Sequence, residues 1–267
     1  MDFRFDDADL ALISEARSAL RRSFDPARHR RGEKSFEGWL ELARADWLHA
    51  ALQEADGGYG LAPPVQAALA KEAGGVLAGD QFLNNAFLIP ELLVRAEARD
   101  RVPGLLAHHS AHPGFLLADG RSVECLGIAT NAASWCFGVE AGFDAYVLEA
   151  SGSDATLLRT SGGRVDFQPA AGLALDAGQV EVAGGERERI PLALTPGELE
   201  RLRAAAVVLH SASLCGVADE ALAVSVGYAR DRVQFGRPIG QFQALKHLLA
   251  DVKVLNEVAW NACLYAS

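Results

Sequence analysis

Apolar residues recur at helical spacing through roughly the first hundred residues of the chain. The first run follows acidic residues at positions 6, 7 and 9, which suit the N-terminus of a helix. Its apolar stripe consists of Leu10, Ile13, Leu20 and Phe24. A second helix is expected from Trp39, and an Ala-rich helix over about residues 64–73 follows a glycine-rich loop at 56–60. This pattern predicts an N-terminal helical domain over residues 1–110.

The pattern changes between about Pro113 and Pro191, where Ser, Gly and Thr separate short β-prone runs. The runs cover residues 123–128, 145–148, 155–158 and 180–182. Gly152-Ser153-Asp154 follows the second run and predicts a hairpin turn. We therefore expect a small β-domain over residues 111–194.

The last third of the chain predicts two long helices separated by a short break. Residues 195–198, with the sequence TPGE, predict a capping box with proline at the first helical position. A helix from there to about Arg232 would be roughly 55 Å long, and Gly236 and Pro238 would end it. The next helix carries an apolar stripe of Phe242, Leu245, Leu249, Val252 and Ala259, interrupted by Asn256. These residues, 195–267, predict a C-terminal helical domain that is incomplete, because the sequence stops within a helical pattern. The fold class expected for the whole is mainly α with a small β-domain.

Composition and charge exclude several classes of protein. Half of the residues are hydrophobic, which indicates a globular chain, and the net charge of −10 argues against nucleic acid as a partner. The N-terminus lacks the apolar core of a signal peptide, and we find no long uncharged apolar run that would predict a membrane span. The four cysteines, Cys125, Cys136, Cys215 and Cys263, form no CxxC pair. We therefore expect neither disulfides nor a metal site, and a reducing cytoplasm as the compartment.

The break between the two C-terminal helices carries side chains that a protein core would not need. Arg232 and Gln234 are followed by Phe235 and Gly236, and Gln243 begins the next apolar run. A guanidinium suits a pyrophosphate, because its planar donors meet paired oxygens in a fixed geometry. These five residues are the candidate cofactor-binding residues.

Residues 228–252, with the sequence YARDRVQFGRPIGQFQALKHLLADV, closely resemble the flavin-contacting signature of the acyl-CoA dehydrogenase family. The run DWLHAALQEADGGYGL resembles the N-terminal signature of the same family. The resemblance implies three domains in the order helical, β and helical. It also implies FAD as the cofactor. The five candidate residues would contact the FAD of the neighbouring subunit. Compared with the family, the β-domain is shortened. Trp135 in this domain is either the aromatic residue beside the flavin or a buried tryptophan.

The resemblance also implies a reaction. Relatives introduce a double bond between Cα and Cβ of an acyl-CoA thioester: a Glu takes the α-proton, and hydride passes to FAD. An electron-transfer flavoprotein is then the expected electron acceptor. In most relatives the Glu lies beyond the point where this sequence ends, and in a minority it lies on the long helix, ten residues before the position of Gly216.

Counting back from Gly216 places Ala206 at that Glu position, and Ala204 and Val207 at two further substrate-facing positions. We therefore expect no catalytic residue in this chain, and we expect His210 to be a packed histidine. The favoured hypothesis is the degenerate subunit of a heteromeric enzyme for bulky acyl-CoA esters, such as steroid side chains, arranged as a heterotetramer. One alternative is a self-sufficient homo-oligomer whose base lies beyond residue 267. Another is a flavin-free scaffold that retains the fold.

Overall fold

A computed structural model of the chain describes residues 5–24, 36–118, 134–137, 143–151, 154–169 and 177–267. The helices are α1 (Asp7–Ser23), α2 (Phe36–Arg44), α3 (Pro63–Gly75), α4 (Gly79–Leu83), α5 (Ile89–Leu93), α6 (Val102–Ala111), α7 (Pro196–Asp231) and α8 (Gln243–Ala266). A π-helical turn, Asn84–Leu88, joins α4 to α5, and short 3-10 turns lie at Trp47–His49, Glu54–Asp56, Arg99–Arg101 and Ile239–Gln241. The fold class, mainly α with a small β part, is confirmed.

The strands form three small sheets. They are β1 (Gly114–Ala118), β2 (Ser134–Phe137), β3 (Asp144–Ser151), β4 (Asp154–Ser161), β5 (Arg164–Pro169), β6 (Ala177–Ala183), β7 (Glu186–Leu192), β8 (Val233–Gln234) and β9 (Arg237–Pro238). The first sheet has the order β1-β3-β4-β7, with β1 and β3 parallel and the other pairs antiparallel. The second has the order β2-β6-β5, and β8 pairs with β9.

Three of the four strand runs expected from the sequence lie in β3, β4 and β6. The fourth, at 123–128, lies outside the described residues, as do Gly152 and Ser153. Ser151 pairs with Asp154 at the ends of β3 and β4, which is the pairing that the expected hairpin requires. None of the runs expected from the sequence covers β7, because its first four residues are the charged run ERER.

The first helix shows how far a periodic pattern specifies burial. Asp6 caps α1 in a reciprocal capping box with Asp9, as the acidic start suggested. Leu10, however, is 52% exposed, so its expected place on the core-facing stripe is wrong. The buried face of α1 consists of Ile13, Ala16, Ala19, Leu20 and Ser23. Small side chains on this face are typical of a helix that packs closely against its neighbours.

The closest helix packing in the described part joins α3 to α7. Gly74 and Gly216 lie where the two helices cross, and each faces the backbone of the other helix. A Cβ atom built on Gly216 would lie 1.8 Å from the carbonyl oxygen of Lys71. One built on Gly74 would lie 1.9 Å from the carbonyl oxygen of Ser213. The backbones are therefore in contact, which only glycine permits at these two positions.

A cluster of hydrogen bonds, joined by an ion pair, connects α8 to α7. Asn256 is buried, and its amide donates to the carboxylate of Asp219 at 2.8 Å and to the carbonyl of Cys215 at 3.1 Å. Lys71 on α3 pairs with the same carboxylate at 2.7 Å. Partial burial alone would raise the pKa of Asp219, but hydrogen bonds from Lys71 and Asn256 outweigh it and lower that pKa below its usual value. Asn256, which interrupts the apolar stripe in the sequence, thus serves as a hydrogen-bonding tie.

By length and composition, α7 is the one helix among the described residues that could cross a membrane. Such helices also occur in the cores of helical bundles. Here α7 packs against α3, α4 and α8, as a bundle helix does.

The π-helical turn connects the helical part to the first sheet through one fully buried side chain. The Asn85 amide nitrogen donates to the carbonyl of Gln81 at 2.8 Å. Its amide oxygen accepts from the backbone N–H of Gly114 in β1, also at 2.8 Å. The Asn85 carbonyl lies 3.0 Å from Nε2 of His109 on α6, so His109 donates there. One residue therefore connects α4, α6 and β1.

His109 is fully buried, and burial lowers its pKa from 6.5 to about 4. Because the unfolded chain binds this proton more readily, the stability due to neutral His109 is complete above pH 6.5 and is lost as pH falls toward 4. We expect this loss to be roughly 3 kcal/mol, at about 1.4 kcal/mol for each unit of pKa difference. Urea unfolding of the wild type and of His109→Gln from pH 7.5 to 4 tests it. The stability advantage of the wild type should shrink as pH falls, and a constant difference would contradict the prediction.

Candidate functional site

The chain turns sharply between its two longest helices, and we call this turn, residues 232–243, the corner. Arg232 follows α7 with extended backbone angles (φ −74°, ψ 116°), and its N–H donates to Tyr228 at 2.9 Å. Its carbonyl accepts from the N–H of Ile239 at 2.8 Å, which closes the corner. Between them, β8 and β9 form a hairpin in which Gln234 pairs with Arg237.

Phe235 and Gly236 form the two-residue loop of this hairpin, with φ values of 53° and 76°. Two successive positive φ values define a type I′ turn, whose first position is normally Asn, Asp or Gly. A bulky residue with positive φ is uncommon and costs on the order of 1–2 kcal/mol. Phe235 is also 90% exposed, and its only described ring contact is edge-to-face with Phe242 at 6.0 Å. Strain together with exposure indicates a residue held out for contact with another molecule.

The polar side chains of the corner point away from the rest of the described chain. Arg232, Gln234 and Gln243 are exposed, and their side chains make no hydrogen bond or ion pair with other described residues. The guanidinium of Arg237 lies over the ring of Phe242 at 4.3 Å. Two guanidinium groups therefore lie at this corner.

The helix α8 starts at the same corner without a side-chain cap. Phe242 is its cap residue and makes no side-chain hydrogen bond there, and the first turn of α8 contains no acidic residue. The first N–H groups of a 24-residue helix are thus available to an anion, at the positive end of the helix dipole. Together with Arg232 and Arg237, this end of α8 has the chemistry of a phosphate- or pyrophosphate-binding site.

The structure brings all five sequence-predicted cofactor residues to this one corner: Arg232, Gln234, Phe235, Gly236 and Gln243. Arg237 was missed in the sequence. The signal that could have found it is its position directly after the Phe-Gly turn, where a hairpin places it opposite Gln234. Trp135 lies on β2, and its side chain is outside the described residues.

The three positions counted back from Gly216 do not share one environment. Ala206 is fully buried, Ala204 is exposed and Val207 is 46% exposed. Successive helix positions are about 100° apart, so residues 204, 206 and 207 cannot all face one pocket. Ala206 faces the core, and its carbonyl lies 2.7 Å from Nδ1 of His210. No carboxylate stands at any of these positions.

Other charged residues near the start of α7 have local partners. Glu198 accepts from Thr195 in the expected capping box, and hydrogen bonds to the Thr195 side chain and backbone lower its pKa. Arg203 pairs with Glu200. These groups therefore stabilise the helix and are not candidates for a catalytic base.

The C-terminal helices match the family model described as "Acyl-CoA dehydrogenase, C-terminal domain" over residues 199–267. The chain is 50% identical over 60 residues to acyl-CoA dehydrogenase IpdE2 of Mycolicibacterium smegmatis, which is 22% of this chain and 19% of that protein. It is 38% identical over 114 residues to IpdE2 of Mycobacterium tuberculosis, which is 41% of this chain and 34% of that protein. The chain therefore matches at most about a third of the length of these relatives.

Solved structures match nearly the whole chain. The ChsE4-ChsE5 complex from Mycobacterium tuberculosis contains a chain with a TM-score of 0.70 and 22% identity, covering 98% of this chain and 79% of that one. A steroid acyl-CoA dehydrogenase variant, Tcur3481-Tcur3483, gives a TM-score of 0.60 and 22% identity, covering 95% and 77%. At 22% identity, the similarity to these two structures establishes the fold of the chain and nothing further. By sequence, the C-terminal helices match the acyl-CoA dehydrogenase family, and the chain as a whole has the fold of the solved acyl-CoA dehydrogenases.

Proposed function

We propose that this chain is the flavin-completing subunit of a heteromeric acyl-CoA dehydrogenase. The observation that carries the proposal is the exposed corner, where the side chains of Arg232, Gln234 and Gln243 make no hydrogen bond or ion pair with other described residues. The lack of a carboxylate at Ala204, Ala206 and Val207, the positions counted back from Gly216, adds to it, because a chain without its own base needs another chain for the proton transfer. The partner would be a second acyl-CoA dehydrogenase-like subunit that carries the catalytic Glu.

The groups at the corner fit the pyrophosphate of FAD and the parts of the cofactor next to it. Arg232, Arg237 and the N-terminus of α8 would hold the pyrophosphate, with Gln234 and Gln243 as further hydrogen-bonding groups and Phe235 as an apolar contact. When bound, the flavin supplies the hydride acceptor for oxidation of the acyl group. The role of this chain is to bind and orient the cofactor from across the subunit boundary.

The proposed substrate is an acyl-CoA thioester with a bulky acyl group. Its support is the similarity to IpdE2 and to a solved enzyme described as a steroid acyl-CoA dehydrogenase. An electron-transfer flavoprotein in the cytoplasm would receive the electrons. The alternatives are a homo-oligomer that carries its base beyond residue 267, and a scaffold without flavin.

Exposed apolar side chains on α7 and α8 support an assembly. Among the large hydrophobic residues left exposed are Leu214 and Val224 on α7, and Leu248, Leu255 and Val258 on α8. Several large apolar side chains exposed along two neighbouring helices are what an interface between subunits would cover. We propose a two-fold pair of heterodimers, the closed arrangement that such a shared site favours.

Co-expression with the product of the neighbouring gene tests the proposal. The complex should be yellow, should have a mass well above the 28.4 kDa of this chain, and should oxidise acyl-CoA with an artificial electron acceptor. This chain alone should show little or no turnover. Substantial turnover by this chain alone would favour the self-sufficient enzyme, and a colourless complex would favour the scaffold. A monodisperse 28 kDa species that binds no partner would contradict the shared site.

Arg232→Ala in the assembled complex should weaken retention of FAD about ten- to a hundredfold, because a charge-assisted bidentate contact contributes about 1.5–3 kcal/mol. Arg232→Lys should restore only part of the affinity, since an ammonium cannot bind two oxygens in the same planar geometry. Flavin occupancy after gel filtration measures the effect. Arg230→Ala is the matched control, because Arg230 is an exposed arginine two residues earlier on α7. Equal occupancy in the Arg232 and Arg230 variants would exclude the proposed contact.

A further inference from the structure

An apolar groove runs between the middle of α7 and the C-terminal half of α8. Its volume is about 500 Å³, and Val207, Leu214, Ala259 and Ala262 are among its lining residues. The groove lies at the opposite end of the two helices from the corner. Along α7, the 17 residues from 215 to 232 correspond to about 25 Å. The groove is therefore a separate feature from the proposed flavin site.

Two cysteines from different helices meet in the wall of this groove. Cys215 belongs to α7 and Cys263 to α8, and both line the groove. Both residues are buried, both thiols are free, and the two belong to the lining of the same groove. They are 48 positions apart in the sequence, so only the packing of α8 on α7 brings them together.

We propose that Cys215 and Cys263 form a dithiol site that a small disulfide, such as oxidised glutathione, converts into a cross-link between α7 and α8. One cysteine thiolate attacks the oxidant, and one thiol of the oxidant leaves with a proton. The second cysteine then attacks the mixed disulfide and releases the other thiol. The net change is loss of two hydrogens from the protein, one new S–S bond in the protein, and reduction of the oxidant to two thiols.

The surroundings of the pair determine when the reaction proceeds. Burial, followed by the neighbouring Cys263 thiol, raises the pKa of Cys215 to about 11. Cys215 is therefore a protonated thiol at neutral pH, and its small thiolate fraction makes its attack on a disulfide slow. Thiols this close favour the internal disulfide over two separate adducts, because the second attack is intramolecular.

The test treats the reduced full-length chain with oxidised glutathione at about pH 8.5, where thiolate is more abundant. Intact mass should show the loss of two hydrogens at this site, and a peptide map should contain a 215–263 cross-linked pair. The melting temperature should rise by about 5 °C or more, because the bond closes a long loop, and dithiothreitol should reverse the rise.

Cys215→Ala and Cys263→Ala are matched controls. Each should lose both the cross-link and the reversible rise in melting temperature, while the remaining thiol forms at most a mixed disulfide. The proposal is overturned if the wild type carries glutathione on both cysteines, if both stay reduced, or if the map shows either one joined to Cys125 or Cys136. None of these readouts depends on flavin or on a partner subunit, so the result is independent of the proposed function.

Discussion

Gly216→Ala is expected to lower the free energy of unfolding by about 3 kcal/mol or more. The added Cβ would lie 1.8 Å from the carbonyl oxygen of Lys71, far inside the contact distance of the two atoms. Because the obstacle is backbone, no side-chain rotation can relieve the overlap. The helices α3 and α7 must move apart, and their packing against each other is then lost along the crossing.

The control for this substitution lies on the same helix. Gly227 has no atom within 4 Å of a built Cβ, so Gly227→Ala should raise the free energy of unfolding by about 0.5–1 kcal/mol through helix propensity alone. Urea denaturation of both variants measures the difference. Effects of equal sign would show that the close approach of α3 and α7 does not exist in solution.

Asn85→Ala is expected to cost about 2–3 kcal/mol, because it removes two buried hydrogen bonds and leaves the buried N–H of Gly114 without its side-chain acceptor. The N–H of Gly114 loses its acceptor, and the carbonyl of Gln81 loses the Asn85 amide as a donor, each from a bond of 2.8 Å. Both groups lie at the junction between α4 and β1, where water cannot replace the amide without opening the interface. We therefore expect the loss to appear as both a lower melting temperature and faster amide exchange in β1.

Asn261→Ala is the matched control for the buried asparagine. Its amide also donates to the carbonyl four residues earlier, that of Glu257, at 2.8 Å, but on the exposed face of α8. Water can replace that bond, and alanine favours the helix, so the change in stability should be within about 0.5 kcal/mol of zero. If the two asparagine variants were equally stable, the junction role of Asn85 would be wrong.

The sequence predicted the helices with end signals more reliably than it predicted their buried faces. The TPGE run at 195–198 fixed the start of α7, and the Gly236 and Pro238 break fixed the turn before α8, because capping and turn chemistry act over a few neighbouring residues. The buried side of α1 was misjudged at Leu10, because burial depends on which helix packs alongside. The strand β7 was missed since its pairing with β4, and not its composition, makes it a strand.

The candidate site also contains some residues that the sequence predicted and others that only the folded structure revealed. The five cofactor residues could be chosen from the sequence because they lie within twelve consecutive positions, so their proximity is set by the chain itself. Arg237 shows its role only when the hairpin is folded and its guanidinium covers Phe242. The strain at Phe235 likewise requires a backbone angle, which residue type alone does not reveal.

By itself, the sequence of this protein determined its family resemblance, its mainly helical class with a small β part, and the corner between its last two helices. These depend on local spacing, caps and turn residues, which neighbouring positions specify. The tertiary structure alone decided the glycine crossing of α3 and α7, the Asn85 junction and the meeting of Cys215 with Cys263. Each joins residues that are distant in the chain, and their contact follows from how whole helices pack, which no short segment encodes.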